Sequence, residues 1–245
     1  RKPNGLSASL PPCPAQMMKN RRQRSLLRRM SEHKMAIPAL PAEYSAIRQA
    51  LAGAQRVLAV AHIRPDGDAI GALLGLGLAL QDAGKDVQMV LADGLPANFR
   101  FLEGSQQVQN RVTAPFDLLC AVDCSDPQRM GNLFSETVAV DINIDHHVTN
   151  LNFGRINLVD TKAVSTTEII ADLLTALEIG ISPAAASALL VGLITDTIGF
   201  RVPSVTPKAM RLAGDLMEKG ANLSDLYYRT LVARSFEAAR YWGLG

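Results

Sequence analysis

The sequence lacks an uninterrupted apolar run of the length that a membrane span requires. A helix needs about 20 such residues to cross a bilayer, and glycine or charged residues interrupt every candidate. Cysteine is also scarce, since Cys13, Cys120 and Cys124 have neither CxxC spacing nor an even count. A disulfide framework or a zinc knuckle is therefore not expected. We expect a folded, cytoplasmic protein that has no membrane partner.

The charges are unevenly distributed along the chain. Residues 1–36 contain nine Lys or Arg and one acidic residue, whereas the remainder contains sixteen basic and twenty-two acidic residues. An acidic body argues against a broad surface for duplex nucleic acid and suits a site that gathers carboxylates around metal ions. We interpret residues 1–36 as a basic, disordered leader. A nucleic-acid arm and a targeting segment are the alternatives.

Strands and helices alternate from Tyr44 onward. The patterns predict helices over 44–53 and 67–83, and strands over 57–62, 87–92, 117–123 and 137–144. After Ser165 the chain is predicted to be mostly helical, with helices over 165–178, 183–198, 206–219 and 222–240. Alternation of this kind requires crossover connections. The expected fold class is α/β, with a doubly wound, mostly parallel sheet, helices on both faces, and further helices and a helical linker behind it.

The stretch HIRPDGDAIG, residues 62–71, follows a predicted buried strand and opens a predicted helix. It places His62, Asp66 and Asp68 at the carboxyl end of the strand, where open α/β sheets bind ligands. One imidazole and two carboxylates suit manganese or magnesium better than a thiolate-seeking metal. A helix-capping aspartate within a Pro- and Gly-rich turn would explain the same residues without any ligand.

Three later stretches contain similar side chains. Asp123 ends the strand LLCAVD, and the stretch NIDHHVTN contains Asp145, His146, His147 and Asn150. Asp196 lies between two threonines in TDT, at the end of an apolar run that is helical or strand-like. Asp123 and Asp196 could each be turn or cap residues. A doubly wound sheet would bring all these positions to one edge.

Taken together, HIRPDGDAIG, VDCSD, NIDHHVTN and TDT resemble the four ordered motifs of the DHH phosphoesterases, over roughly residues 44–240. The segments PDGDAIG, FRFLEG, VDCSDPQRMG and DHHVTNLNFG look most like the bacterial branch of nanoRNases and 3′-phosphoadenosine 5′-phosphate phosphatases. Family II pyrophosphatases, RecJ-type exonucleases and cyclic-dinucleotide phosphodiesterases share the metal-binding loops, so these activities stay open as alternatives.

The resemblance implies a centre for two divalent metal ions, with manganese expected and magnesium as the alternative. Its six ligands would be His62, Asp66, Asp68, Asp123, His146 and Asp196, and Asp123 would bridge the two ions. In a two-metal hydrolase the ions activate a bridging water as hydroxide. His147 would donate to the phosphoryl group, and Asp145 would orient a ligand imidazole. Arg201 and Asn150 are the candidate substrate contacts, although Arg201 could equally be a surface arginine.

The resemblance also predicts a division into domains. Residues 37–220 would form the DHH catalytic domain, and 221–245 a helical linker to a second, substrate-binding domain whose Gly-rich, His-containing motif is missing here. The expected activity is hydrolysis of short 5′-phosphorylated oligoribonucleotides, of 3′-phosphoadenosine 5′-phosphate, or of both. The alternatives are hydrolysis of cyclic dinucleotides or pyrophosphate, and a truncated nucleotide-binding module without turnover. A homodimer is left open.

Overall fold

A six-stranded parallel sheet lies at the centre of the computed structural model, which describes residues 40–134 and 138–233. The strands are β1 (Arg56–Val60), β2 (Asp86–Val90), β3 (Val108–Gln109), β4 (Leu118–Val122), β5 (Val140–Asp145) and β6 (Gly154–Val159). Their order is β3-β2-β1-β4-β5-β6, and every neighbouring pair is parallel. The chain therefore winds outward from β1 in one direction and from β4 in the other. Ligands of such sheets bind at this switch point, outside the carboxyl ends of the strands.

Six α-helices accompany the sheet in the described part of the chain. They are α1 (Ala42–Gly53), α2 (Gly67–Asp82), α3 (Thr166–Ala176), α4 (Pro183–Asp196), α5 (Pro207–Glu218) and α6 (Leu223–Tyr227), which continues as a π-helical turn (Tyr228–Val232). Side chains that sequence patterns favour at helix starts cap α2 to α5, namely Asp66, Ser165, Ser182 and Thr206. No helix in the described ranges is long and apolar enough to cross a membrane.

The two faces of the sheet are covered differently. The larger apolar cluster joins Val57 and Ala59 of β1 to buried residues of all six helices. Leu58 and Val60 point to the other face, where their cluster contains strand and loop residues and Met130 of a 3₁₀ turn, but no α-helical residue among those described. The predicted α/β class is thus confirmed, whereas α-helices on both faces are not seen in the described part of the chain.

Helix α2 is buried along nearly its whole length between the sheet and α4. Every residue from Gly67 to Leu80 is buried, which explains why this helix is apolar on all sides. A Cβ atom at Gly71 would lie 2.5 Å from the carbonyl oxygen of Ala188 in α4. Glycine therefore allows the two helix backbones to approach closely, and this approach brings their site-bearing ends together.

Three elements differ from the sequence-based expectation. Strand β3 was not predicted because it is only two residues long, and β6 was not predicted because GRINLV is mostly half-exposed and lacks an apolar run. The helix predicted over 222–240 stops earlier, since helical backbone ends at Val232 and Ala233 is extended. Residues 1–39, 135–137 and 234–245, which include the predicted leader, lie outside the described residues.

Candidate metal centre

The side chains singled out in the sequence lie at the carboxyl edge of the sheet, on both sides of the switch point. His62 follows β1, Asp66 caps α2, and Asp68 lies in the first turn of that helix. The others come from the second half of the sheet and from the helices behind it: Asp123 after β4, Asp145 at the end of β5, His146 and His147 directly after it, and Asp196 as the last residue of α4.

His62, Asp66 and Asp123 form the first group. The Nε2 atom of His62 lies 3.3 Å from Oδ2 of Asp123 and 3.8 Å from Oδ1 of Asp66. Its Nδ1 atom lies 2.8 Å from the carbonyl oxygen of Ile63 and donates to it, so Nε2 is the nitrogen that would bind a metal, in place of its own proton. Burial opposes protonation of this ring, but hydrogen bonds to Asp123 and Asp66 outweigh it and raise the pKa of His62 to about 10.

Asp68, His146 and Asp196 form the second group. The Nε2 atom of His146 lies 3.2 Å from Oδ2 of Asp196 and 3.9 Å from Oδ2 of Asp68. It also lies 3.9 Å from Oδ1 of Asp123, whose other oxygen faces His62. The two oxygens of the Asp123 carboxylate thus face different groups, as expected of a carboxylate that bridges two cations.

The carboxylates of the centre are crowded and poorly solvated. Burial, together with the charges of Asp123 and Asp66, raises the pKa of Asp196 to about 7. Burial and the charges of Asp123 and Asp196 also raise the pKa of Asp68 well above its usual value, although two backbone N–H groups oppose this. Carboxylates held this close to one another are stabilised when a cation lies between them.

The donors fit divalent cations. Each of the two groups offers three ligand atoms that lie within 4.8 Å of one another, and oxygen with imidazole nitrogen suits manganese or magnesium. A third combination, Asp123 with His146 and His147, meets the same distance limit. It is the weaker metal site because the Nδ1 atom of His147 is already hydrogen-bonded to Asp145.

His147 is held by a chain of buried polar side chains. Its Nδ1 atom lies 2.7 Å from Oδ1 of Asp145, and this hydrogen bond is the main reason that the pKa of His147 is raised. Asp145 is fully buried, and its Oδ2 atom accepts a 2.6 Å hydrogen bond from the amide of Asn150. The imidazole that Asp145 orients is therefore that of His147. Asp145 reaches the expected ligand His146 only through the backbone N–H, at 2.8 Å.

The two expected substrate contacts, Asn150 and Arg201, lie outside the groups of candidate metal ligands. The Asn150 amide nitrogen also donates to Asn143 and to the carbonyl of Cys124, and its oxygen accepts from the backbone of Asn152. These contacts favour a supporting role for Asn150 over a substrate contact. Arg201 is exposed in the turn after α4 and makes no ion pair with any residue in the described ranges.

The helix predicted over 165–178 is confirmed as α3, but the sequence reasoning missed the part that its start plays in the site. The hydroxyl of Thr166 donates to Oδ1 of Asp123 at 2.8 Å, and the backbone N–H groups of Thr166 and Thr167 donate to Asp68 at 2.6 and 3.1 Å. These contacts fix two of the candidate ligands. The detectable signal was the capping-box pattern STTE, in which Ser165 caps the helix and accepts from the backbone N–H of Glu168.

The order of the strands and the Asp-His-His residues at the edge of the sheet indicate the DHH family, and comparison with known proteins confirms this family. The profile described as the DHH family, N-terminal domain, matches residues 56–193, which is more than half of the chain. The chain therefore belongs to the DHH family, as the motifs predicted.

Two curated relatives show which members of the family this chain resembles. The chain is 37% identical over 167 residues to the bifunctional oligoribonuclease and PAP phosphatase NrnA of Thermus thermophilus, in an alignment that covers 67% of this chain and 50% of that protein. It is 31% identical over 170 residues to the protein of the same name from Bacillus subtilis, covering 68% and 54% of the two chains. The chain thus spans about half the length of the curated relatives it matches.

A solved structure shares the fold. The exopolyphosphatase-related protein from Bacteroides fragilis superposes with a TM-score of 0.75 and 24% identity, over 86% of this chain and 66% of that one.

Proposed function

We propose that this protein is a metal-dependent phosphoesterase that hydrolyses short 5′-phosphorylated oligoribonucleotides, 3′-phosphoadenosine 5′-phosphate, or both. The observation that carries the proposal is the Asp123 carboxylate, whose two oxygens face two separate groups of Asp and His side chains. The substrate class is taken from the names of the NrnA relatives, which describe both activities. The alignment with these relatives covers about two thirds of this chain.

Two divalent ions would bind, one in each of the two groups of side chains. His62, Asp66 and Asp123 would hold one ion, and Asp68, Asp123, His146 and Asp196 the other. When bound, such ions polarise phosphoryl oxygens and lower the pKa of a water molecule so that it can act as the nucleophile. The crowded carboxylates would otherwise repel an anionic substrate, so activity should depend fully on metal.

The chain's own residues would position and stabilise the reacting group. Because Asp145 engages Nδ1 of His147 and the pKa of this imidazole is raised, a protonated His147 would present Nε2 to a phosphoryl oxygen as negative charge develops there. Thr166 and Thr167 would keep Asp123 and Asp68 in place through the hydrogen bonds at the start of α3. No side chain is required as a covalent nucleophile.

The proposal is tested by measuring release of phosphate and mononucleotide with manganese or magnesium. The substrates are 3′-phosphoadenosine 5′-phosphate, a 5′-phosphorylated dinucleotide and pyrophosphate. We expect hydrolysis of at least one of the first two substrates, and we expect a chelator to abolish it. Asp196→Asn should reduce the activity at least about 100-fold, because losing a metal ligand costs more than losing a residue that only supports a ligand. Asp215→Asn, an exposed aspartate of α5, is the matched control.

Other outcomes would contradict the proposal. Hydrolysis of pyrophosphate alone would assign a different substrate class, and full activity in Asp196→Asn would refute the metal assignment. Metal binding without hydrolysis of any of the three substrates would indicate a nucleotide-binding module.

A further inference from the structure

A polar cleft of about 640 Å³ opens beside the carboxyl ends of β2 and β3. Its lining includes Arg100 and Arg111 together with the side-chain amides of Gln106, Gln109 and Asn110. A cavity of this size accommodates a nucleotide-sized ligand. The residues assigned to the metal centre do not line it, so the cleft is a separate feature of the same sheet edge.

The charge of this cleft is unusual for the molecule. None of the described residues that line it is acidic. Neither Arg100 nor Arg111 forms an ion pair with a described residue, whereas Arg56, Arg155 and Arg229 are each paired with an aspartate. Beyond residue 36 the chain contains more acidic than basic residues. Two exposed guanidinium groups in one cleft, neither of them paired with a described carboxylate, are suited to binding oxyanions.

The cleft and the metal centre are linked through neighbouring loops. The backbone N–H of Arg64, two residues after the candidate ligand His62, donates to Oδ2 of Asp93 at 2.6 Å. Asp93 is followed by Gly94, which lines the cleft. Neighbouring strands lie about 4.8 Å apart, so β3 is roughly 10 Å from β1. An extended ligand held at the metal centre would therefore reach the cleft with its next units.

We propose that this cleft binds the phosphodiester backbone of a single-stranded oligonucleotide, beyond the nucleotide held at the metal centre. The inference rests on the proposed function and extends it to substrate length. Arg100 and Arg111 would bind phosphate oxygens, and the amides of Gln106, Gln109 and Asn110 would contact sugars or base edges. Substrates longer than a dinucleotide gain these contacts, whereas 3′-phosphoadenosine 5′-phosphate and a dinucleotide are too short to make them.

The kinetic test uses the double variant Arg100→Gln/Arg111→Gln of the full chain. We expect KM for a 5′-phosphorylated pentanucleotide to rise about tenfold or more, because two charge-assisted contacts are lost. KM for the dinucleotide and for 3′-phosphoadenosine 5′-phosphate should change less than about twofold, since these ligands do not reach the cleft. The control Arg211→Gln/Lys219→Gln removes the same charge from exposed positions at α5 and should leave all three KM values unchanged.

A binding measurement keeps the inference separate from the proposed activity. A fluorescein-labelled pentanucleotide is titrated with each protein in a chelator, where no hydrolysis is required, and the dissociation constant is read from anisotropy at several salt concentrations. We expect Arg100→Gln/Arg111→Gln to bind the pentanucleotide about tenfold more weakly. The slope of log affinity against log salt concentration should fall by the equivalent of up to about two phosphate contacts. Equal binding by both double variants, or equal effects on long and short substrates, would overturn the inference. If the pentanucleotide binds as expected but nothing is hydrolysed, the proposed function fails and the cleft stands.

Discussion

His146 and His147 are neighbours in sequence, but their imidazole rings make different contacts. His146 directs Nε2 toward Asp196 and Asp68, whereas Nδ1 of His147 is engaged by Asp145. The ring centroids are 4.5 Å apart and the rings are steeply inclined. One tripeptide therefore supplies an imidazole that faces the carboxylates of Asp68 and Asp196 and a second imidazole that is hydrogen-bonded to Asp145.

The first prediction concerns the carboxylate that holds His147. Asp145→Asn removes the negative charge that favours the imidazolium and changes the partner of Nδ1. We expect kcat to fall about 100-fold or more, within the range that a lost acid–base group costs, with KM and metal stoichiometry little changed. Steady-state kinetics and metal analysis provide the measurements.

The matched control is Asp141→Asn on the same strand, where the carboxylate pairs with the exposed Arg155 and accepts from Leu119. It should lower stability without this loss of kcat. If Asp145→Asn binds less metal and shows the same kcat at saturating metal, Asp145 serves the metal ligands instead of His147.

Glu178 and Ile198 occupy the same position at two helix ends. Each directly follows the C-cap residue of its helix and has a left-handed backbone conformation, with φ of 60° for Glu178 and 48° for Ile198. The same hydrogen bonds close both ends, since the residue after each donates to the fifth residue before it, at 2.9 Å for Ile179 and 2.7 Å for Gly199. Glycine usually occupies this position. A β-branched residue such as Ile198 is the more strained of the two.

We expect Ile198→Gly to raise the free energy of unfolding by about 1 kcal/mol, because glycine adopts this conformation without a Cβ penalty. Glu178→Gly should raise it by a smaller amount, since Glu is not β-branched. Urea denaturation of both variants measures the difference. A loss of stability in Ile198→Gly alone would mean that the Ile198 side chain makes a contact worth more than the strain.

The packing of α2 against α4 depends on glycine. A Cβ at Gly71 would meet backbone atoms of α4, including the amide nitrogen of Gly192 at 2.9 Å, and a Cβ at Gly192 would lie 2.6 Å from Oδ1 of Asp68. Backbone cannot move aside as a flexible side chain can. The close approach that stabilises the helix pair therefore also sets the position of Asp68 relative to Asp196.

Two glycine substitutions should have effects of opposite sign. Gly71→Ala should lower the free energy of unfolding by about 1–3 kcal/mol, because the added methyl group overpacks a rigid contact. Gly214→Ala in α5, where no described atom outside the adjoining helix backbone lies within 4 Å of the added Cβ, should raise it by about 0.5–1 kcal/mol through helix propensity. Thermal or urea unfolding measures both. Equal stabilisation by the two substitutions would show that α2 and α4 have room to separate.

The candidate metal centre joins residues that are far apart in the sequence, from His62 to Asp196. Ions that bind only the folded chain must stabilise it. At a manganese concentration about 100 times the dissociation constant, we expect a gain of roughly 2.7 kcal/mol, which corresponds to an increase in Tm of roughly 5–10 °C. Differential scanning fluorimetry with manganese, and then with excess chelator, measures the effect.

Asp196→Asn should lose most of this increase, whereas Asp215→Asn should keep it. Without metal, Asp196→Asn should be at least as stable as the parent chain, because it relieves repulsion among buried carboxylates. A metal-free variant that is much less stable, or a full manganese shift in Asp196→Asn, would contradict the assignment of Asp196 as a ligand.

Much of the architecture could be predicted from local patterns. Apolar runs followed by capping residues predicted β1, β2, β4, β5 and the start of α2, and alternation predicted the parallel sheet. The helix predicted over 183–198 is confirmed as α4, whereas the pattern gave no signal for β6, because an edge strand is only partly buried. The helix end at Val232 was also missed, since nothing in the local sequence forces a break there.

The sequence by itself determined the family, the α/β class and the side chains that gather at one edge of the sheet. These features depend on the polarity and spacing of nearby residues, which act before the chain is fully packed. Only the tertiary structure decided which partner each side chain meets. The hydroxyl of Thr166 reaches Asp123 across 43 residues, Asp145 holds His147 instead of His146, and Gly71 allows α4 to approach α2. Such contacts depend on how separate elements pack, and local sequence patterns do not contain that information.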